Sequence, residues 1–119
     1  MTDDDGLRCE VTSLGDDCTV LTLAGEWDVA CRQRLHDTLL SLGTLRDVVV
    51  DLRQASFFDS SALGELISGY KRISEAGRRF ETMVGSSNMR RLLEMTNLER
   101  LIGMAPDRQA EIERRLAAT

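Results

Sequence analysis

Histidine, proline, tryptophan and tyrosine occur once each in this chain, and so does lysine, at Lys71. With His36 the one imidazole, a histidine-built metal site and a serine triad both lack a ready base or ligand set. Cys9, Cys18 and Cys31 are widely spaced and form no CxxC pair. They read as reduced thiols in or near a core, so no metal and no other cofactor is expected. No apolar run approaches the roughly 18 residues of a membrane span, and no charged n-region with an apolar h-region opens the chain. A soluble, cytoplasmic protein without membrane insertion is the expectation. Excess positive charge is missing too: 15 basic residues are interspersed with 20 acidic ones for a net charge of −5, and no basic stripe offers itself to nucleic acid. The near absence of lysine beside many arginines reads as a coding habit rather than as chemistry.

What is present suits one domain of 119 residues, with a core over 8–104, a C-terminal helix over 106–118, and the acidic start, residues 1–6, frayed. Alternation over Arg8–Ser13 and Cys18–Ala24 around Gly15-Asp16-Asp17 predicts a β-hairpin, with Leu21 and Leu23 on one face and Val20 on the other. Asp28 is a plausible N-cap for a helix over 29–42, where Leu35, Leu39 and Leu42 recur at helical spacing and Gly43 stops the run. DVVVDL at 47–52 is a continuous β-branched run, as in a central strand covered on both faces. Leu63, Leu66, Ile67, Tyr70 and Ile73 predict a helix from Ser60 to Ala76, ended by Gly77. A strand over 79–84 follows, and Gly85-Ser86-Ser87 leads into a helix with Met89, Leu92 and Leu93 inward and Met95 as a second gap-filling methionine. A short turn at 98–102 precedes a last helix begun by Pro106. The alternation predicts an α/β fold, a mixed sheet of four to five strands with about four helices packed on it.

The segment FFDSSALGEL at 57–66 places an acid and two hydroxyls where strand gives way to helix. Asp59 or Ser60 suits a helix cap, and one cap residue suffices. A serine nucleophile lacks a neighbouring histidine and the GxSxG turn, so no catalytic residue is assigned. The third reading is phosphorylation. Amides at a helix start tolerate a dianion, while the added charge beside Asp59 penalises an acidic or closely packed partner. Ser60, Gly64, Ser68 and Lys71 fall on one narrow helical stripe whose small residues let another protein approach. The plainer reading is a solvated flank.

Three segments in order, LTLAGEWDVA at 21–30, VVVDLRQASFFDSSALGEL at 48–66 and MRRLLEMTNLERLI at 89–102, resemble the STAS domains, specifically the anti-anti-sigma factors, or anti-sigma factor antagonists, of partner-switching systems. The resemblance implies a STAS-like fold and a non-catalytic binding protein. Its unphosphorylated form binds an anti-sigma factor that is also a serine kinase of GHKL-type ATPase fold, and so frees the sigma factor for transcription. The kinase's target is the serine after the aspartate, here Ser60, with Ser61 the less favoured acceptor, and a PPM-type phosphatase reverses it. Carried over by position, Glu26, Asp28 and Asp59 form the acidic surroundings of that serine. With Ser60, Ser61, Gly64 and Ser68 they make up the expected partner-binding set. For Glu26 and Asp28 an exposed loop charge and a helix cap stand beside that reading. Ala62 departs from the family's glycine and Glu65 from an apolar residue. Ala62 merely stiffens the helix start, whereas Glu65 is expected to put a carboxylate near the interface. Two other functions compete: a non-switching STAS subunit of a transport complex or signalling scaffold, in which Ser60 only caps, and an enzyme.

Overall fold

The computed structural model describes residues 6–85 and 87–119; the expectation for residues 1–5 and the part of the loop at Ser86 lie outside the described residues. The opening hairpin consists of β1 (Arg8–Leu14) and β2 (Cys18–Trp27), antiparallel, with Leu14 opposite Cys18 across the predicted three-residue turn. Gly15 there takes a left-handed conformation, φ 64°, which glycine adopts without strain.

A 3-10 turn, Val29–Cys31, leads into α1 (Arg32–Ser41). This corrects the single helix expected over 29–42. The Asp28 side chain accepts the Ala30 N–H at 3.0 Å and so caps the tight turn rather than the α-helix. β3 (Asp47–Leu52) runs parallel to both β2 and β5 (Phe80–Val84), which places it in mid-sheet as its unbroken apolar run requires. Between β3 and α2 (Ser60–Glu75) the sequence reading had no separate element. The structure has a four-residue strand there, β4 (Ala55–Phe58), parallel to the far end of β2. α3 (Ser87–Met95), the single turn α4 (Glu99–Ile102) and α5 (Pro106–Ala117) complete the chain. Asn97, at φ 61°, ends α3 in the left-handed conformation, and the Leu98 N–H closes back on the Leu93 carbonyl at 2.9 Å.

The sheet order is β1-β2-β3-β5, with β4 beside β2. Pleating sends Leu21, Leu23, Val48, Val50 and Leu52 to the face covered by Leu35, Leu39, Leu66, Ile73 and Leu93 of the first three helices. Val20, Val49 and Met83 point the other way, under Ile112 of α5. Asp51, also buried, is held by Arg53 through two contacts of 2.9 and 3.0 Å. Trp27 is wholly buried, its indole N–H donating to the Ala24 carbonyl at 3.1 Å. Met89 is buried as expected. Met95 is not: it is the last residue of α3 and 74 % exposed.

Candidate functional site

The site is assembled by a kink in β2. Gly25 adopts φ 94°, and the register between β2 and β4 shifts at Gly25/Glu26, a β-bulge that swings the end of β2 away from β3 and onto β4. A side chain at Gly25 would sit 3.1 Å from the Gly6 carbonyl. Glu26 then pairs with Phe57 and Trp27 with Phe58, whose rings lie 6.3 Å apart at a 35° tilt. The Asp59 N–H donates to the Trp27 carbonyl at 3.0 Å. One parallel pairing thereby holds the end of β2 and the turn that follows it against the start of α2.

At that start Asp59 is the cap. Its Oδ1 accepts the Ala62 N–H at 3.0 Å and the Ser61 hydroxyl at 2.7 Å. The Ala62 amide, the Ser61 hydroxyl and the amides of Ser61 and Val29 hold the Asp59 carboxyl below its ordinary range. The two serines are unequal in consequence. Ser61 is half-buried and bonded to the cap, whereas Ser60 is exposed and its hydroxyl makes no hydrogen bond with another described residue. A carboxylate held so firmly ionised is a poor general base at neutral pH. His36 is engaged elsewhere, its Nδ1 2.8 Å from Oε1 of Glu65.

Of the expected partner-binding residues, Asp59, Ser60 and Ser61 form one turn, and Ser60, Gly64 and Ser68 share one exposed flank of α2 with Lys71. A β-carbon added at Gly64 would meet nothing within 4 Å, so internal packing does not demand glycine there. Glu26, next to last in β2, and Asp28, just past its end, lie instead on the neighbouring segment. They border a cleft with Ser56 and Cys31, joined to α2 through the Val29 amide rather than through Ser60 itself. Glu65 corrects the expectation of an interface carboxylate. Its side chain is only 12 % exposed and turns toward α1, with Arg32 Nη1 donating to Oε2 at 3.0 Å. Burial pushes the Glu65 carboxyl up, but the His36 and Arg32 contacts outweigh it and hold the group below its ordinary value. Ala62 does more than stiffen the helix start, being wholly buried in the core. Among the described residues, no group of three or more His, Cys, Asp or Glu could hold a metal ion, and no helix is long and apolar enough to cross a membrane.

A family model described as "Mlab, STAS domain" matches residues 11–103, most of the chain. The chain belongs to the STAS domain family. Solved STAS-like structures agree in fold. An anti-sigma factor antagonist from Mycobacterium paratuberculosis superposes with a TM-score of 0.77 at 19 % identity, covering 96 % of this chain and 99 % of that one. A putative anti-sigma factor antagonist from Thermotoga maritima gives 0.69 at 22 % identity, with 91 % and 94 % covered. The Bacillus cell fate determinant SpoIIAA in its phosphorylated form gives 0.63 at 18 % identity, with 90 % and 98 % covered. The unphosphorylated form of SpoIIAA also gives 0.63.

Residues that the sequence reading missed are Ser56 and Phe57 on β4 and Val29 beside Asp59, Phe57 and Val29 being 46 % and 70 % exposed. A four-residue strand shows too little alternation to be read, and the exposure of Val29 is decided by the fold rather than by its neighbours in sequence.

Proposed function

We propose that this STAS domain is a phosphorylation-gated antagonist of an anti-sigma factor that is itself a serine kinase of GHKL-type ATPase fold. It acts in the cytoplasm, without catalytic activity or cofactor of its own. The observation that carries this reading is the division of labour at the start of α2. Asp59 and Ser61 satisfy the cap between them, and Ser60 is left as an exposed hydroxyl with no structural duty. The fold's likeness to anti-sigma factor antagonists, one of them in phosphorylated and unphosphorylated forms, supports the same reading.

In the unmodified protein the partner lies on Ser60, Gly64 and Ser68, with Glu26, Asp28, Asp59 and Ser61 around them. Phosphorylation of Ser60 adds about 1.5 to 2 negative charges next to a carboxylate already ionised. The first-turn amides accommodate the phosphate without unfolding α2. The complex is lost through repulsion and steric block, and a PPM-type phosphatase restores it.

Affinity capture from a lysate of the source organism, with wild-type, Ser60→Ala and Ser60→Asp baits, tests the reading. A kinase of ATPase fold retained by the first two baits and lost from the third supports it, and fragmentation mapping should then find phosphate on Ser60. Equal retention of transporter or scaffold subunits by all three would replace it with the second reading, a non-switching subunit.

A further inference from the structure

Two shallow clefts flank β4 and meet at Ser56, which lines both. One is bordered by Glu26 and Asp28 and by no basic side chain. The other runs between β4 and α3, bordered by Phe57, Leu92, Met95 and Arg91 and by no carboxylate. Arg91 has no ion-pair partner among the described residues. Phe57 and Met95, 46 % and 74 % exposed, stand on opposite elements of this second cleft. Single exposed apolar side chains are ordinary, whereas two lining one groove with a charged rim have the anatomy of a contact surface. The two clefts together therefore present an acidic stretch on one side of Ser56 and, on the other, an apolar stretch that carries one basic side chain.

We infer that this track docks one extended segment of the partner protein. A basic side chain lies against Glu26 and Asp28, an apolar side chain seats between Phe57 and Met95, and a carboxylate meets Arg91. The inference rests on the partner-binding reading of this end of the molecule and deepens it by naming the chemistry of the bound segment. The charged ends set register and direction, and the apolar anchor supplies most of the affinity. Ser60 lines neither cleft, so docking and the phosphorylation switch are separable.

Titration of the 15N-labelled full chain with four synthetic peptides tests this. Each has about ten residues, which extend to at most about 36 Å, enough to span the molecule's 33 Å long axis. All share a central Leu-Phe pair. Two carry lysines on one side and glutamates on the other, in the two chain directions; the third carries lysines on both sides and the fourth glutamates. One mixed-charge peptide should shift the amides of Glu26, Ser56, Phe57, Arg91 and Met95 and bind about tenfold more tightly than either single-sign peptide. Phe57→Ser, Met95→Ser and Arg91→Glu should each weaken it by about tenfold, with well-dispersed spectra confirming that the variants fold. Glu111→Gln, on the exposed side of α5, should not change it. Shifts that are absent, lie elsewhere or do not depend on charge order would overturn the inference. So would concentration-dependent broadening of the same amides without peptide, which would make a second copy the occupant. Docking without phosphate on Ser60 would sink the switch alone, and phosphate without docking would sink the groove alone.

Discussion

At the scale of the residue, Asp59 takes the cap for which it and Ser60 were both candidates. Its carboxyl is held below its ordinary value of 3.8 by bonds made to the ionised form. A group whose folded pKa is depressed adds stability that is present above its unfolded pKa and is lost as pH falls through the folded one. The thermal midpoint of the wild type should therefore drop as pH falls from about 5 to below 3.8, partly through Asp59. Asp59→Asn, which keeps a cap but removes the titration, should show a shallower acid loss; identical slopes would discount the hydrogen bonds described. Glu65 has the same sign, so Glu65→Gln should flatten the curve further. The sequence singled out Asp59, Ser60 and Ser61 as one turn, and the structure places them so. The sequence could not say which serine is free, because that depends on where the Ser61 hydroxyl points.

At the scale of the element, α2 was legible almost to the residue: five apolar positions at helical spacing, an aspartate before it and a glycine after it act within one turn of the chain. Its outward stripe was legible too. Gly64 is the position to probe there. In the free protein Gly64→Ala should stabilise by about 0.5–1 kcal/mol, seen as a higher urea midpoint, because alanine loses less conformational freedom in a helix and meets no neighbour. In the complex it should weaken kinase binding, because the added methyl stands where the partner approaches. A stabilised variant that binds as well as the wild type would remove Gly64 from the interface. β4 and the 3-10 turn were not legible: both are too short for a period, and both exist because β2 bends at Gly25 to meet them.

At the scale of the whole molecule, the helices that bear the candidate residues pack on one sheet face, under α1, α2 and α3, and the face under α5 has a core cluster of its own. The carboxamide of Gln109 pairs with both backbone groups of Val84, donating to its carbonyl at 2.8 Å and accepting its N–H at 3.3 Å, and so ties α5 to the edge strand β5. Ile112, wholly buried against Val20, Val49 and Met83, is the anchor of that contact. Ile112→Ala should destabilise by about 2–5 kcal/mol in urea unfolding while the folded fraction is still phosphorylated on Ser60 at an unchanged rate. A change in that rate would mean that the two faces are coupled.

The sequence by itself determined the α/β alternation, the central place of DVVVDL, the hairpin, the family and the cap-and-serine turn. The family rests on the resemblance of three segments in order, and each of the others on periodicity or on contacts within a few residues. The tertiary structure alone decided that β2 breaks at Gly25 to pair with β4 and that Glu65 faces α1 rather than a partner. It also decided that Met95 stands in water opposite Phe57, and that Ser60 rather than Ser61 keeps its hydroxyl free. These outcomes turn on side-chain directions and on pairings between distant segments, which no local pattern encodes.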